Sequence, residues 1–392
     1  MAEVTAQRQH LRFALALHRV LASVGGTTCF SPYSVASALG LAYQAARGKT
    51  AEELRALLSG DEPDIAKQVE LLAEAASLDA IGDEDPVLAV SNTLWAWDKL
   101  RVNEDFGADL AGWPGAKLAH APFVSDPEGA REAINADVAR TTRDLITELV
   151  PEGAVTVDTV ASLVNALYLK AAWRNPFAAA QTTDEVFHAP GGDRTVPMMR
   201  QVEQFGYAAA GGWRAAVLPA TGGVQAVVLL PDAASSGGAS GSVGTIATPE
   251  AAGTSLAHAE ATLDADTLAG LLDAVRTRRV SLRLPRVDVG MNVSLTRALG
   301  ELGVSELFTS AADLSGLSDD PRLMVSDALH ESVLKLDEDG LEGAAATAMM
   351  IRMTSVIVAE PVSFVVDRPF LLLIRHATTG AVYFLARVTD PS

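Results

Sequence analysis

Asp337-Glu-Asp-Gly-Leu-Glu-Gly-Ala-Ala-Ala-Thr-Ala-Met-Met-Ile-Arg-Met-Thr-Ser-Val-Ile-Val-Ala-Glu360 joins two segments that read as strands, residues 333–336 before it and the apolar residues after Pro361. Such a connection is about twice the roughly 12–15 residues beyond which structureless loops become rare in compact domains, and loops of that length are usually functional. Its first half is small (Gly340, Gly343, Ala344, Ala345, Ala346), and its second half carries β-branched residues and methionines. With the two-residue period of a strand, one face holds Leu341, Gly343, Ala345, Thr347, Met349, Ile351 and Met353, all uncharged. The other holds Glu342, Ala344, Ala346, Ala348, Met350, Arg352 and Thr354, with both charges. A loop written like a strand with one buried face suggests a segment that exists in both forms. From these residues alone, an Ala-rich helix over 344–350 reads equally well.

Outward from this loop, strands cluster late, at 196–199, 214–219, 224–230, 280–285, 362–366, 370–375 and 381–388. Earlier, residues 160–170 form a nearly continuous apolar run, as a strand covered on both faces would, and 87–97 are rich in β-formers. The first 80 residues read as helices. Ser31-Pro32 supplies an N-cap and a proline at the first helical position, and Thr50 with Glu53 reads as a capping box. A helix is expected near 295–302 and another around 268–275. The class is α+β. Residues 233–254, rich in Gly, Ser and Ala, read as a surface insertion within one domain, since strands lie on both sides of them.

The 392 residues carry 30 Lys plus Arg against 49 Asp plus Glu, a formal net charge of −19, spread along the chain. Phosphates and anionic lipid should repel such a chain, so nucleic acid and membrane are not expected partners. No apolar stretch is long enough to span a bilayer. Arg12, His18 and Arg19 interrupt the apolar N-terminal residues, which read as an amphipathic helix instead of a secretory signal, and a cytoplasmic location is the expectation. Cys29 is the single cysteine and reads as a reduced core thiol, so neither an internal disulfide nor a multi-Cys metal site is available. Catalytic motifs fail one by one. Gly48-Lys49-Thr50 would need a glycine where Tyr43 stands, and His330-Glu331 would need a second histidine where Leu334 stands. Gly340 and Gly343 lack the rest of a dinucleotide fingerprint.

Several ordered motifs resemble those of the serpins, serine-protease inhibitors of the suicide-substrate type, over essentially the whole chain, and the chain looks like a bacterial member. They are Phe30-Ser31-Pro32-Tyr33-Ser34, Gly48-Lys49-Thr50-Ala51-Glu52-Glu53-Leu54, and Asn165-Ala166-Leu167-Tyr168-Leu169-Lys170 with Trp173 and Phe177. Val196-Pro197-Met198-Met199, Ala312-Asp313-Leu314-Ser315-Gly316, Asp367-Arg368-Pro369-Phe370 and Ala386-Arg387-Val388 also match. The resemblance implies one serpin domain over 1–392, with three β-sheets, about eight or nine helices and an exposed reactive-centre loop at about 338–361. That replaces the two or three domains expected from length alone.

It further implies that the loop, once cut, inserts into the main sheet. The hinge would be Glu338, Gly340, Leu341, Gly343, Ala344, Ala345, Ala346 and Thr347. Small side chains suit a segment that must slide between two strands; Leu341 departs from the family's usual Thr or Ser, and Gly343 from Ala. Counting sixteen residues from Glu338 puts the reactive bond at Thr354-Ser355, with Met353 as the alternative and Arg352 third; counting back from Pro369 falls nearer Val358. Ser31, Ser34, Asn165 and His330 resemble the family's shutter, a polar cluster beneath the sheet. Trp173, Arg286 and Glu338 resemble its breach, at the sheet's top. The implied partner is a target serine protease of chymotrypsin, elastase or subtilisin type, held covalently by a monomeric inhibitor that needs no cofactor. A non-inhibitory carrier or chaperone is the rival, favoured by the bulk of Leu341. Much of the family is secreted, which makes an extracellular location the alternative.

Overall fold

Ser31 caps a helix because its hydroxyl accepts the Ser34 amide (3.1 Å), and Pro32 at the first position has no amide to leave unpaired. The helix Pro32–Ala45 is buried on nearly every side and lies under the main sheet of the molecule. The computed structural model describes residues 2–79, 86–106, 110, 113, 116–232, 249–320, 323–341 and 360–391. Among the described residues are eight α-helices and fifteen strands, a mixed α+β architecture. The N-terminal helix Ala2–Leu21 is amphipathic, as expected, burying Leu11, Phe13, Leu15 and Leu17.

The capping box expected at Thr50 and Glu53 does not form. The helix begins earlier, as Gly48–Ser59, with no side-chain cap. Thr50 Oγ1 instead accepts from the Asp313 amide (3.0 Å), and Glu53 accepts from the Ser305 and Glu306 amides (2.7 and 2.9 Å). Tertiary partners outbid the local ones and tie residues 305–313 to this helix.

Six strands form the first sheet, in the order Val287–Ser294, Ala328–Leu336, Gly340–Leu341, Ala161–Ala172, Val87–Trp97, Ala116–Ala121. The apolar run read at 160–170 is its centre, buried along almost its whole length. One face rests on the main core. The other is covered by the helix Pro127–Thr141, whose Ala130, Ile134 and Val138 pack with Val164 and Ala166 in a second, smaller cluster.

The second sheet has nine strands. The strand Gly192–Ala210 runs through it for 19 residues. Its first part pairs with Thr183–Ala189, its middle with Arg276–Pro285, and its last five residues with Trp213–Pro219. Where three separate sheets were expected, this shared strand makes two of them one continuous ladder. Val362–Val365 lies at one end, parallel to Arg276–Pro285. The helix Pro249–Thr262 occupies the last residues of the span read as an insertion; residues 233–248 lie outside the described residues.

Candidate functional site

The central feature is a cleft in the six-stranded sheet. Ala328–Leu336 and Ala161–Ala172 run parallel and pair directly only at their lower ends, Ala328 with Leu163, Leu329 with Val164 and His330 with Asn165. At the upper end Gly340–Leu341 stands between them, antiparallel to both: Gly340 beside Ala172, and Leu341 between Ala171 and Leu336. Between these ends no strand pairing joins residues 331–335 to 166–170 among the described residues. A narrow cavity lies here, lined by Leu167, Leu169, Leu334, Leu341, Ile146 and Phe384.

A buried polar cluster sits below the directly paired residues. The Ser31 amide donates to His330 Nε2 (3.0 Å), and Asn165 Nδ2 donates to the Ser34 carbonyl (3.0 Å) and to Asn92 Oδ1. Ser332 Oγ donates to the Cys29 carbonyl (2.8 Å). The structure thus brings Ser31, Ser34, Asn165 and His330 together around the start of one helix. Because His330 Nε2 is an acceptor, its neutral ring carries the proton on Nδ1. Burial lowers its pKa from 6.5 to about 4. Ser34 Oγ, Asn165 Oδ1 and His330 Nδ1 are buried with no hydrogen-bond partner among the described residues.

At the upper end, Asp337 Oδ1 accepts the Asp339 and Gly340 amides (2.9 and 3.2 Å), which folds residues 337–340 into a turn. Trp173 donates from Nε1 to the Asp337 carbonyl (2.8 Å) and from its amide to the Asp339 carbonyl (2.9 Å). Arg286 grips Glu338 with two parallel hydrogen bonds of 2.8 Å, and Thr182 Oγ1 donates to the same carboxylate. Burial alone would raise the Glu338 pKa; hydrogen bonds from Arg286 and Thr182 outweigh it and leave the carboxyl below its usual range. Gly340 has φ +158°, and a Cβ there would meet Ala171 O at 2.2 Å and Ala172 Cα at 2.8 Å, so the backbone approach admits only glycine. Leu341 is 1% exposed.

Trp173, Arg286 and Glu338 are therefore together at the top of the sheet, and Gly340 and Leu341 already lie within it. Gly343, Ala344, Ala345, Ala346, Thr347, Met353, Thr354 and Ser355 lie outside the described residues. Sequence reading missed Asn92, Ser332, Thr182 and Asp337. Asn92 had a signal: it is the lone amide in an apolar strand, as Asn165 is in its own, and the two stand directly opposite each other. Thr182 had none, because it reaches Glu338 from far along the chain.

A family model described as "Serpin (serine protease inhibitor)" matches residues 8–391. Leukocyte elastase inhibitor A of Mus musculus is 33% identical, with 97% of each chain covered. A serpin-like protein of Thermococcus kodakarensis is 29% identical, covering 97% of this chain and 84% of its own. Among solved structures, human thyroxine-binding globulin with bound thyroxine superposes with a TM-score of 0.83 at 23% identity, covering all of both chains. Uncleaved ovalbumin does so at 0.80 and 22%, covering 98% of this chain and 99% of its own. No described helix is long and apolar enough to cross a membrane.

Proposed function

Because the chain belongs to the serpin family, whose members are generally protease inhibitors, we propose that it traps serine proteases irreversibly, as a suicide substrate. The protease serine attacks the Thr354 carbonyl, Ser355 leaves as a new N-terminus, and the acylated loop enters the cleft as an added strand. Met353 is the alternative acylation point.

The observation that carries this reading is the register of Gly340–Leu341. Continuing the pairings Leu341 with Ala171 and Leu341 with Leu336 brings residues 342–346 down the unpaired cleft and Thr347 between Asn165 and His330. Residues directly opposite each other share a face. Leu341, Gly343, Ala345 and Thr347 therefore turn toward the core, while Glu342 and Arg352 turn outward, matching the uncharged and charged faces of the sequence. The first five residues enter where the two strands are not paired with each other. From Thr347 onward, entry requires His330 and Asn165 to part, so that pair acts as the shutter, and Glu338 with Arg286 and Trp173 acts as the breach. Ile351 would reach Ala161, where the strand begins, leaving Thr354 three residues beyond its edge.

Leu341, the feature favouring a carrier or chaperone, is no obstacle to entry, because it is already buried in the sheet. A small or apolar residue at the bond fits elastase-, chymotrypsin- or subtilisin-like targets, and one relative is named an elastase inhibitor. The test is incubation with each of these proteases and trypsin, read by denaturing gel and fragment sequencing. A covalent band at the summed mass with a fragment beginning at Ser355 is expected. Cleavage with neither that band nor a gain in thermal stability overturns inhibition in favour of the carrier or chaperone.

A further inference from the structure

Residues 276–286, Arg-Thr-Arg-Arg-Val-Ser-Leu-Arg-Leu-Pro-Arg, hold five arginines and no carboxylate in a chain of net charge −19. The strand Arg276–Pro285 lies between Gly192–Ala210 and Val362–Val365. Arg279, Ser281 and Arg283 share the face opposite buried Val280, Leu282 and Leu284, and stand across from Gln204, Val202 and Arg200. At the centre of this patch, Val202 is 42% exposed, one of few large apolar side chains left in water among the described residues. Arg200 and Arg283 share one carboxylate, Glu185 (2.8 and 3.2 Å). Arg276 is turned onto the carbonyls of Asp273 and Val275, and Arg286 holds Glu338. On this face the side chain of Arg279 has no ion-pair or hydrogen-bond partner among the described residues, whereas exposed Arg278 lies on the opposite side of the strand, with Val280. Other carboxylates on or beside these strands include half-buried Glu203 and exposed Asp273 and Glu360.

The place of these arginines relative to the loop is fixed by register. Val362 pairs alongside Val280, so Arg279 and Arg278 flank Pro361 and Glu360, where the chain rejoins the sheet. Ser355 is seven residues upstream of Val362, at most about 25 Å of extended chain. A protease engaged at the proposed bond therefore overhangs this face. Its charge is opposite to that of the chain as a whole, which would otherwise repel an acidic protease.

We propose that Arg200, Arg279 and Arg283, around Val202, form a second docking face for the target protease, and that this protease carries carboxylates beside its active-site cleft. The proposal rests on the inhibitory reading and adds to it the surface chemistry of the target. Charges at the rim of an encounter act mainly on the association rate and are screened by salt.

The test uses two subtilisin-type proteases of matched primary specificity, one acidic and one basic at the surface, with the full-length chain and an Arg279→Glu/Arg283→Glu variant. The unaltered chain should react with the acidic protease about tenfold faster at about 20 mM salt than at about 0.5 M. The variant should lose that gain with its stoichiometry of inhibition unchanged, and should react no more slowly with the basic protease. Equal rates for both chains with the acidic protease at low salt overturn the proposal, as does equal slowing with both proteases at both salts. Tight, arginine-dependent binding of a heparin fragment alongside unchanged protease rates also overturns it, and assigns the face to a polyanion. Binding of the acidic protease with its catalytic serine changed to alanine separates the two readings. A charge-dependent affinity there with no covalent complex from the active enzyme keeps the docking face and rejects the trap.

Discussion

The lower end of the cleft is closed by direct contact, His330 against Asn165, over a polar cluster in which three buried atoms lack partners among the described residues. The upper end is held open by two residues of the loop itself, Gly340 and Leu341, locked by Arg286, Thr182 and Trp173. The upper grip is fully satisfied, the lower closure is not, and between them the two strands are unpaired among the described residues. Under the proposed trap, such a sheet accepts a strand from above and resists it at one defined level. Continuing the register of Leu341 would put that boundary at Thr347, and the comparison can be broken there first.

Thr347→Arg should have the largest effect. An unpaired charge driven beneath the sheet between His330 and Asn165 costs several kcal/mol, so the stoichiometry of inhibition should rise about a hundredfold or more. Native stability should be unchanged, and cleavage should continue without a covalent band. Inhibition at normal stoichiometry would mean that the register does not continue past Leu341. Gly340→Ala comes next. Its Cβ would collide with backbone at 2.2 and 2.8 Å, and backbone clashes of this kind cost about 2–4 kcal/mol, read as a lowered denaturant midpoint. A neutral result would show that the upper grip can slide.

Acid should loosen the lower end before the upper. His330 has a folded pKa of about 4 against 6.5 when unfolded, so the unfolded chain binds the proton first. Its contribution is complete above pH 6.5 and disappears as pH falls toward 4, about 2 kcal/mol of it by pH 5. Buried His10, also near 4, adds to the slope. His330→Gln should flatten the dependence of melting temperature on pH in that window by about one proton. An unchanged slope would move the effect to His10 and His376.

Much of this contrast was legible in the sequence. The two-residue period put Leu341 on the uncharged face, and it is buried; Ser31-Pro32 gave the helix that carries the polar cluster. Trp173, Arg286 and Glu338 were legible only through resemblance, because they come together from three distant stretches. Three features escaped: the failed capping box at Thr50, where partners some 250 residues away in the chain prevail; the single strand that fuses two sheets; and the seated Leu341. On sequence alone, that leucine's bulk argued against entry. In the fold the same bulk is buried, because Leu336 and Ala171 leave a leucine-sized place between them.

The smallest effect tests whether the upper grip depends on the ion pair or on the turn beneath it. Arg286 is 48% exposed at its side chain and Glu338 only 7%, so removing the arginine strands a mostly buried carboxylate that retains Thr182. Hydrogen bonds to a charged group contribute about 1.5–3 kcal/mol, and solvent screening of the exposed arginine reduces this, so Arg286→Ala should lower stability by about 1–2 kcal/mol. The carboxyl's pKa should rise with the loss. In the unaltered chain it is depressed, so its contribution is present above the unfolded carboxylate value of about 4.3 and is lost as pH falls below it, after the His330 window has closed. The variant should therefore lose the acid limb below about pH 4 while keeping the limb between 6.5 and 4. If Arg286→Ala leaves both limbs intact, the turn at Asp337 and the seated Leu341 hold the loop's foot without help from charge.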